Sequence, residues 1–557
     1  MGKGTLMMSL LLVFALVLSA CASGASQGTT GKSDSQKTNE LADKQVLNLT
    51  DSDDIPTLDI THATDTSSFQ EIYMLESGLM TVYSNKTEPD LAAGNPKVSK
   101  DGKTYTFTIR DDAKWSDGSP VTANDFVFSW HHMVDPKSGA EYAYIYGSAN
   151  IKNAAQIMDK NSDLYGKVDQ LGIKALDEKT LQITLDKPTP YFLSLMSFPP
   201  FFPIKEDFYK QQGDQYALEP NKLLYNGPYV MKQWSHGSGW TLVKNEKYWD
   251  AKHITIDQVN YKVVKDVGTK VNLYNTDKID VTGLVDQFVN QYKNSSEFTS
   301  TPGNCVFYLS LNFKKVPAFK NKKLRQAMAM SIDRDSLVNV LLNDGSVPAH
   351  FIVPKNFTKG PDGKDFRAAA PKGYLLGSKQ EAKKLWDEAK KELGIHSLKI
   401  EYLTTDTPHS QKMGEYVADQ IEKNLPGLKI TINKQPWGNY LKLGKEGNYN
   451  IGGGSGWCPD YQDPMTFLDM WTSDQNDGGW SNQTYDNLIK QAANEGNDPA
   501  KRWKTLQEAE KVLVTEAPVI PTYQNGSARL VKSFVKGLDF PSYGPDTDYR
   551  HAKVYKH

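Results

Sequence analysis

One short segment of the chain carries residue types that can bind a charged ligand. It runs from Gly456 to Pro464 and contains Cys458 and Asp460. Beyond the first 21 residues, Cys305 is the only other cysteine. A disulfide between Cys305 and Cys458 would brace a cleft in which the Asp460 carboxylate receives a positively charged group. The alternative is that Asp460, or the nearby Asp463, only caps a loop.

The first 21 residues have the order of an export signal. Lys3 precedes an apolar run at 6–17, and small residues follow before Cys21. The run is too short to cross a bilayer. The stretch 18–21 also resembles a bacterial lipobox, which implies cleavage before Cys21 and a lipid on its sulfur. We therefore expect a signal peptide at 1–20, a lipid as the only membrane attachment, and a protein on the extracytoplasmic face of the cell membrane.

The segment that follows is compositionally a tether. Residues 21–40 are rich in Ser, Gly, Thr and Lys and contain almost no large apolar side chains, so burial cannot offset their ordering entropy. Lipidation of Cys21 would leave two cysteines in an oxidising compartment, where we expect Cys305 and Cys458 to pair. Such a bridge closes a loop of about 150 residues and stabilises by about 5 kcal/mol in the chain-entropy model. Two reduced, buried cysteines are the alternative.

Composition excludes several classes of function. Lys and Arg total 64 against 66 Asp and Glu, so there is no basic surface for nucleic acid. The two adjacent histidines, His131 and His132, point to different faces of a helix and do not form a helical zinc pair. Neither a Gly-x-Ser-x-Gly elbow nor a His-Glu-x-x-His motif occurs. We therefore predict a protein that is not an enzyme and has no metal or cofactor.

Short periodic segments predict a mixed α/β chain. Thr122 lies three residues before an acid and predicts a helix start, with Phe126, Trp130 and Met133 inward. The other expected elements are strands at 104–110, 181–185 and 258–263 and a helix at 324–332.

A strand–helix–strand unit is predicted after residue 396. Alternating apolar residues mark strands at 398–402 and 428–432, and apolar residues at helical spacing mark a helix at 410–423. His409 and Ser410 would then lie at a helix N-terminus near the carboxyl end of a strand. Open α/β sheets bind ligands at such ends, and the backbone N–H groups favour anions.

Five motifs occur in a recognisable order along the chain. Together they resemble the oligopeptide-binding lipoproteins of the OppA type, which serve ABC importers. The motifs are Trp115–Trp130, Tyr225–Tyr229, Asn245–Trp249, Arg325–Arg334 and the segment around Trp457. The resemblance implies an α/β two-lobed clamp. Its first lobe would span 41–303, with a subdomain at about 79–203, its second lobe 304–527, and 528–557 would return to the first lobe.

The resemblance also implies the ligand site. The position of Asp460 pairs with the peptide's amino terminus in this family, and Gly456, Trp457 and Cys458 would supply a strand edge and a wall. Tyr461 completes the Cys-Pro-Asp-Tyr region that favours peptides over nickel, haem, glutathione or oligosaccharides. The cysteines 305 and 458 also match the disulfide pair of enteric members.

The carboxylate end of the ligand is less defined by the resemblance. His409 matches a family histidine that can meet a peptide C-terminus, although a helix-capping role is an alternative. Trp437 matches an aromatic pocket residue, with a core role as the alternative. Lys445 lies where another family arginine would be. Gly454 replaces an arginine of enteric members, so that contact is lost and the preferred peptide length is open.

These observations predict a monomeric extracytoplasmic lipoprotein. It would capture oligopeptides and deliver them to a membrane permease driven by ATPase subunits. An extended peptide can pair through its backbone as an added strand, and hydrated pockets can accept varied side chains. A receptor for signalling peptides of the pheromone type, or a binder of another small solute on the same scaffold, is the alternative.

Overall fold

The computed structural model describes residues 40–285, 287–453 and 456–557. The predicted signal peptide and the lipidation candidate Cys21 lie outside these residues, as does Gly454. Within the described ranges, no helix combines the length and apolar character that crossing a membrane requires.

Strands occur along the whole of the described part of the chain. The strands are β1 Val46–Asp51, β2 Met80–Tyr83, β3 Lys86–Pro89, β4 Lys97–Val98, β5 Thr104–Thr108, β6 Ile173–Ala175, β7 Thr180–Thr184, β8 Tyr229–Ser235, β9 Gly239–Lys244, β10 Gln258–Val263, β11 Val281–Gly283, β12 Phe298–Leu311, β13 Val347–Pro348, β14 Leu398–Thr405, β15 Leu428–Gln435, β16 Ile451–Gly452, β17 Gly456–Trp457, β18 Val519–Val531, β19 Val535–Lys536 and β20 Lys553–Val554.

Helices alternate with these strands. They are α1 Thr66–Leu75, α2 Ala123–Val134, α3 Tyr144–Ser148, α4 Ala154–Met158, α5 Phe192–Leu195, α6 Glu206–Gln212, α7 Val267–Asn275, α8 Gln287–Tyr292, α9 Lys322–Ser331, α10 Arg334–Ser336, α11 Lys379–Leu393, α12 Pro408–Asn424, α13 Trp437–Lys445, α14 Gln483–Asn494 and α15 Pro499–Glu516, and a π-helical turn spans Leu337–Leu342.

The amino-terminal half of the fold contains two four-stranded sheets. One has the order β1-β10-β9-β8, with β1 parallel to β10, and the other is antiparallel with the order β4-β5-β7-β6. The chain end lies beside the first of these sheets. Gln45 Nε2 donates to the Val554 carbonyl at 2.8 Å, and its Oε1 accepts from Val554 N at 3.0 Å. The last residues therefore pack against the first described ones.

A larger mixed sheet has eight strands, and β2 with β3 and β19 with β20 form two small antiparallel pairs. The main path of the larger sheet is β11-β18-β12-β16-β14-β15, with β13 added to β18 and β17 added to β12. The proposed lobe boundaries at 303/304 and 527/528 fall inside β12 and β18. We propose that these two long antiparallel strands carry the chain between the lobes, and we use "first lobe" and "second lobe" for the ranges so divided. The α/β, two-lobed clamp architecture is as expected.

Local sequence signals are confirmed at several elements. The expected strands at 104–110, 181–185 and 258–263 correspond to β5, β7 and β10, and the expected helix at 324–332 corresponds to α9. In α2, Phe126, Trp130 and Met133 are buried, and Asp125 Oδ2 accepts a hydrogen bond from Thr122 N at 2.9 Å. The capping pattern is therefore built as predicted.

The predicted strand–helix–strand unit is also confirmed. Strands β14 and β15 run parallel, with Leu398 opposite Leu428, and α12 connects them. The helix begins at Pro408, two residues earlier than predicted. Thr407 Oγ1 caps it by accepting from Ser410 N at 3.1 Å, and proline suits the first helical position because its missing N–H is not needed there.

Candidate functional site: a cleft between the lobes

The segment predicted to bind ligand forms a sheet edge facing the cleft. Strand β17 pairs with β12, with Trp457 opposite Val306 and Gly456 opposite Phe307. A Cβ at Gly456 would lie 2.6 Å from the Val306 carbonyl oxygen, so only glycine permits this close approach. A disulfide joins Cys305 to Cys458 and confirms the expected pairing. No strand of the described ranges pairs with the other edge of β17, so that edge can accept an added strand.

Asp460 follows this edge and is partly buried among neutral and acidic side chains. Its Oδ1 accepts a hydrogen bond from the Tyr142 hydroxyl of the first lobe at 3.4 Å, and its backbone N donates to Thr466 Oγ1 at 3.1 Å. Burial, followed by the negative charge of Asp469, raises the pKa of Asp460 well above its usual value. Within the described residues, no Lys, Arg or His nitrogen lies within 4 Å of the carboxylate.

Three phenol groups lie close enough to the Asp460 carboxylate to respond to its charge. Burial is the main cause, and the charge of Asp460 the second, of the raised pKa values of Tyr73, Tyr142 and Tyr144. These residues come from the first lobe, whereas Asp460 comes from the second. The carboxylate therefore has neutral partners on the opposite lobe, and it lacks the cation that would compensate its desolvation.

Two adjoining cavities open between the lobes at this edge. A small one of about 90 Å³ is lined by Thr64, Asp65, Tyr142, Trp457 and Asp460 among others. A large one of about 960 Å³ shares Thr64, Asp65, Tyr142 and Trp457 with it. The small cavity has the size of a compact charged group, and the large one has the size of a ligand pocket.

Asp65 contributes a second carboxylate, from the first lobe. It caps α1, because its Oδ1 accepts from Ser68 N at 2.9 Å, and it is 4% exposed. Burial raises its pKa, and hydrogen bonding by Ser68 opposes that rise. Within the described part of the chain, no group is within 3.5 Å of its Oδ2 in hydrogen-bonding geometry.

Comparison with known proteins assigns the chain to a family. Residues 86–479 match the model of the bacterial extracellular solute-binding proteins, family 5 Middle. The chain belongs to this family. It is 31% identical over 538 residues to the dipeptide-binding protein DppE of Bacillus subtilis, with 95% of each chain covered.

Solved structures of family members have the same fold. The oligopeptide ABC transporter substrate-binding domain of Bacillus anthracis is 43% identical, with a TM-score of 0.88 over 93% of this chain and all of that one. The Listeria monocytogenes OppA bound to peptide is 38% identical, with a TM-score of 0.86 over 93% of this chain and all of that one. These similarities confirm the resemblance that the sequence motifs indicated.

Trp457 and Tyr461 occupy different parts of this family site. The ring of Trp457 lines both cavities and lies 6.4 Å from the ring of Tyr142 across the cleft. Tyr461 is 1% exposed, lines neither cavity, and stacks on Tyr191 of the first lobe at 4.8 Å. The structure therefore places Trp457 on the wall of the two cavities and Tyr461 in the packing behind it.

Trp437 and Lys445 lie at the two ends of α13, next to the large cavity. Trp437 stacks on Tyr440, with ring centroids 5.5 Å apart and an interplanar angle of 10°. Lys445 lines the cavity and forms an ion pair with Glu141 of the first lobe. Helix α13 is thus in contact with both lobes through its terminal side chains.

His409 lies apart from this cleft. It lies at the N-terminus of α12, as predicted, and is the second residue of that helix, but it lines a separate cavity of about 480 Å³ with Lys265, Gln287 and Lys412 among others. The structure does not bring His409 together with Asp460. Its cavity lies between α7 and α8 on one side and α12 on the other, so a role for His409 requires a ligand that extends into it.

Asp463 has a structural role in its loop, which is the alternative given for it above. Its carboxylate accepts two hydrogen bonds from the Arg502 guanidinium, both at 2.7 Å, and one from Met465 N at 2.9 Å. Asp463 is 7% exposed. It is therefore a paired, buried loop residue, which distinguishes it from Asp460 three residues earlier.

Sequence reasoning missed the first-lobe side of the site. Asp65, Glu141, Tyr142 and Tyr144 all line the cleft, yet none was singled out. The signal that was available is the density of tyrosines at 142, 144 and 146, directly after an acid. Two of these three rings face the cavity, whereas Tyr146 is fully buried.

Proposed function

We propose that the protein is the peptide-binding component of an ABC importer and holds oligopeptides between its two lobes. The observation that carries the proposal is the Asp460 carboxylate, which accepts a hydrogen bond from the Tyr142 phenol, has no cationic partner among the described residues, and follows an unpaired strand edge. A peptide's ammonium supplies the missing cation, and its backbone pairs with the edge of β17.

The relatives' own ligands support this proposal. DppE is described as dipeptide-binding and the Listeria protein was solved with peptide bound. The Cys-Pro-Asp-Tyr region at 458–461 makes peptides the favoured ligand class over other solutes bound on the same scaffold. In this interpretation Gly456, Trp457 and Cys458 form the wall, and Asp460 holds the amino terminus.

The remaining parts of the proposal concern delivery. A lipid on Cys21 would hold the protein at the extracytoplasmic face of the membrane, and the closed, loaded form would be presented to the permease. A ligand favours this form only by binding it more tightly than the open form. The protein acts as a monomer and does no chemistry on the peptide.

Mass spectrometry of the ligands released on denaturing the purified protein tests the proposal. We expect a mixture of short peptides with free amino termini. Incubation with a peptide of that mixture should leave it uncleaved. Recovery of a single peptide sequence would favour a signalling receptor, and recovery of a non-peptide solute or of cleavage products would refute the proposal.

A further inference from the structure

The large cavity has an unusually aromatic wall. Nine of its lining side chains are aromatic, and both lobes contribute. Tyr142 and Tyr144 stack on each other with centroids 5.6 Å apart on the first lobe. Tyr308 packs edge-on against Trp471 at 5.4 Å on the second lobe. Rings in such arrangements present both faces and edges, which attract a further aromatic ring beyond the effect of area alone.

The charges around this cavity are balanced. The acidic lining residues are Asp65, Glu141 and Asp477, and the basic ones are His62, Lys442 and Lys445. Glu141 is already paired with Lys445. A charged ligand group would therefore meet charges of both signs, whereas an uncharged group meets ring faces.

Two glycines keep the cavity open on the side of α13. Gly438 and Gly444 both line it, and a Cβ built on either would have no atom within 4 Å. Neither has a positive φ. Glycine is the least favourable residue in a helix after proline, so two in a nine-residue helix oppose local preference. Neither backbone conformation nor packing requires them, and the effect of their missing side chains is added room.

Two other glycines that line the cavity do not share this property. At Gly452 a Cβ would make an ordinary contact with the Tyr449 ring at 3.6 Å. At Gly478 a Cβ would lie 2.7 Å from the Leu311 carbonyl oxygen, so that glycine is required by a close backbone approach. Gly438 and Gly444 are therefore the lining glycines at which an added side chain would enter open space and reduce the room for a ligand.

We propose that this cavity selects peptides with a bulky aromatic side chain near the amino terminus, and that Gly438 and Gly444 set the size of side chain it accepts. The inference rests on the proposed peptide-binding function. The position near the amino terminus follows from the walls that the cavity shares with the small cavity of Asp460, namely Asp65, Tyr142 and Trp457. An aromatic guest touches rings of both lobes and therefore favours the closed form.

Calorimetric titration with tripeptides tests the inference. The ligands are Ala-Ala-Ala and the three peptides in which one alanine is replaced by tryptophan. We expect the wild type to bind at least one of the two peptides with tryptophan at position one or two at least tenfold more tightly than Ala-Ala-Ala. Binding of all four within threefold, or a preference confined to position three, overturns the inference while leaving peptide binding intact. Failure of every peptide to bind refutes the proposed function as well.

Substitutions then locate the selection. Gly438→Leu and Gly444→Leu should each reduce the tryptophan preference, measured as the ratio of the two affinities, to threefold or less. Asn439→Leu adds the same bulk to α13 at an exposed position that does not line the cavity, and it should leave both the preference and the Ala-Ala-Ala affinity unchanged. An equal effect of Asn439→Leu, or an unchanged preference in both glycine variants, overturns the inference.

A double variant with smaller side chains keeps the inference testable if the leucine variants misfold. Gly438→Ala with Gly444→Ala should keep or raise thermal stability, since alanine favours helix. It should lower the affinity for the preferred tryptophan peptide more than that for its phenylalanine analogue. Equal losses for both peptides would show that the glycines do not act through size.

Discussion

Removing the charge of Asp460 should cost the protein its affinity for a free peptide amino terminus. An ammonium at about 4 Å from a carboxylate near a protein surface is stabilised by about 4 kcal/mol. Removing one partner of a buried pair costs about 3 to 5 kcal/mol, or roughly a hundred- to several-thousandfold in dissociation constant. Because the empty site already raises the pKa of Asp460, deprotonating the carboxyl uses part of this energy. We therefore expect Asp460→Ala to fall in the lower half of that range.

A double-mutant cycle separates this contact from other effects of the substitution. Calorimetric titration of wild type and Asp460→Ala with free and N-acetylated forms of one peptide gives four affinities. Acetylation should weaken wild-type binding about as much as the substitution does, and the two losses should not add, since each removes one partner of the same contact. Fully additive losses would remove Asp460 from the site.

Two further variants control for structure. Asp460→Asn keeps the shape of the side chain and an acceptor for the Tyr142 hydroxyl, and it should lose affinity nearly as much as Asp460→Ala does. Asp463→Asn disrupts the buried pair with Arg502 instead. It should lower thermal stability without distinguishing free from acetylated peptides, because Asp463 does not line the cleft.

The pH dependence of peptide affinity should also report the contact between the Asp460 carboxylate and the peptide ammonium. The raised pKa of Asp460 means that the empty site holds a proton at pH values where ordinary carboxyls do not, and a bound ammonium lowers that pKa. Binding therefore releases a proton, and affinity rises as pH rises toward the pKa of the empty site. It levels off above that value until the peptide's own amine deprotonates near pH 8. Titrations in two buffers of different ionisation enthalpy measure the release, and unchanged release in Asp460→Asn would contradict the assignment.

Three other predictions follow. Cys305 and Cys458 should resist alkylation in the denatured, unreduced protein, and labelling of both would contradict the disulfide. Lys445→Met should weaken peptide binding at most about fivefold at low salt and less at high salt, because its ion pair with Glu141 is solvent-exposed on the lysine side; a larger loss in affinity titrations would give Lys445 a direct ligand contact. Cys21→Ala should move the protein from the membrane fraction to the medium or leave the precursor uncleaved, and normal processing with unchanged membrane retention would refute the anchor.

Much of the second-lobe side of the site could be predicted from the sequence. The pairing of Cys305 with Cys458 followed from the number of cysteines left after lipidation of Cys21, and the position of Trp457 at the cleft followed from the family resemblance of its segment. The strand–helix–strand unit at 398–435 followed from apolar periodicity, because both strands and the intervening helix bury one face. The predicted helix start was two residues late because the Thr407 side chain caps the helix, and apolar periodicity does not reveal a capping residue.

The first-lobe side depended on contacts that no local pattern encodes. Tyr142 and Asp460 are 318 residues apart and meet only because the lobes close on each other. The same holds for Glu141 with Lys445, which are 304 residues apart. The placement of His409 is the converse case. Its position in α12 was predicted from the sequence, but the cavity it lines depends on how α7 and α8 pack near that helix.

Two of the polar contacts that join the lobes across the cleft are individually weak. The Tyr142–Asp460 hydrogen bond is long at 3.4 Å, and the Lys445–Glu141 pair has an exposed lysine, so neither contributes much. Closing the lobes also removes water from the Asp460 carboxylate without providing a cation, which opposes closure. A peptide ammonium reverses that penalty, and an aromatic side chain adds contact with both walls of the large cavity. A ligand that supplies both would shift the lobes furthest toward the closed form, since the shift equals its difference in affinity for the two forms.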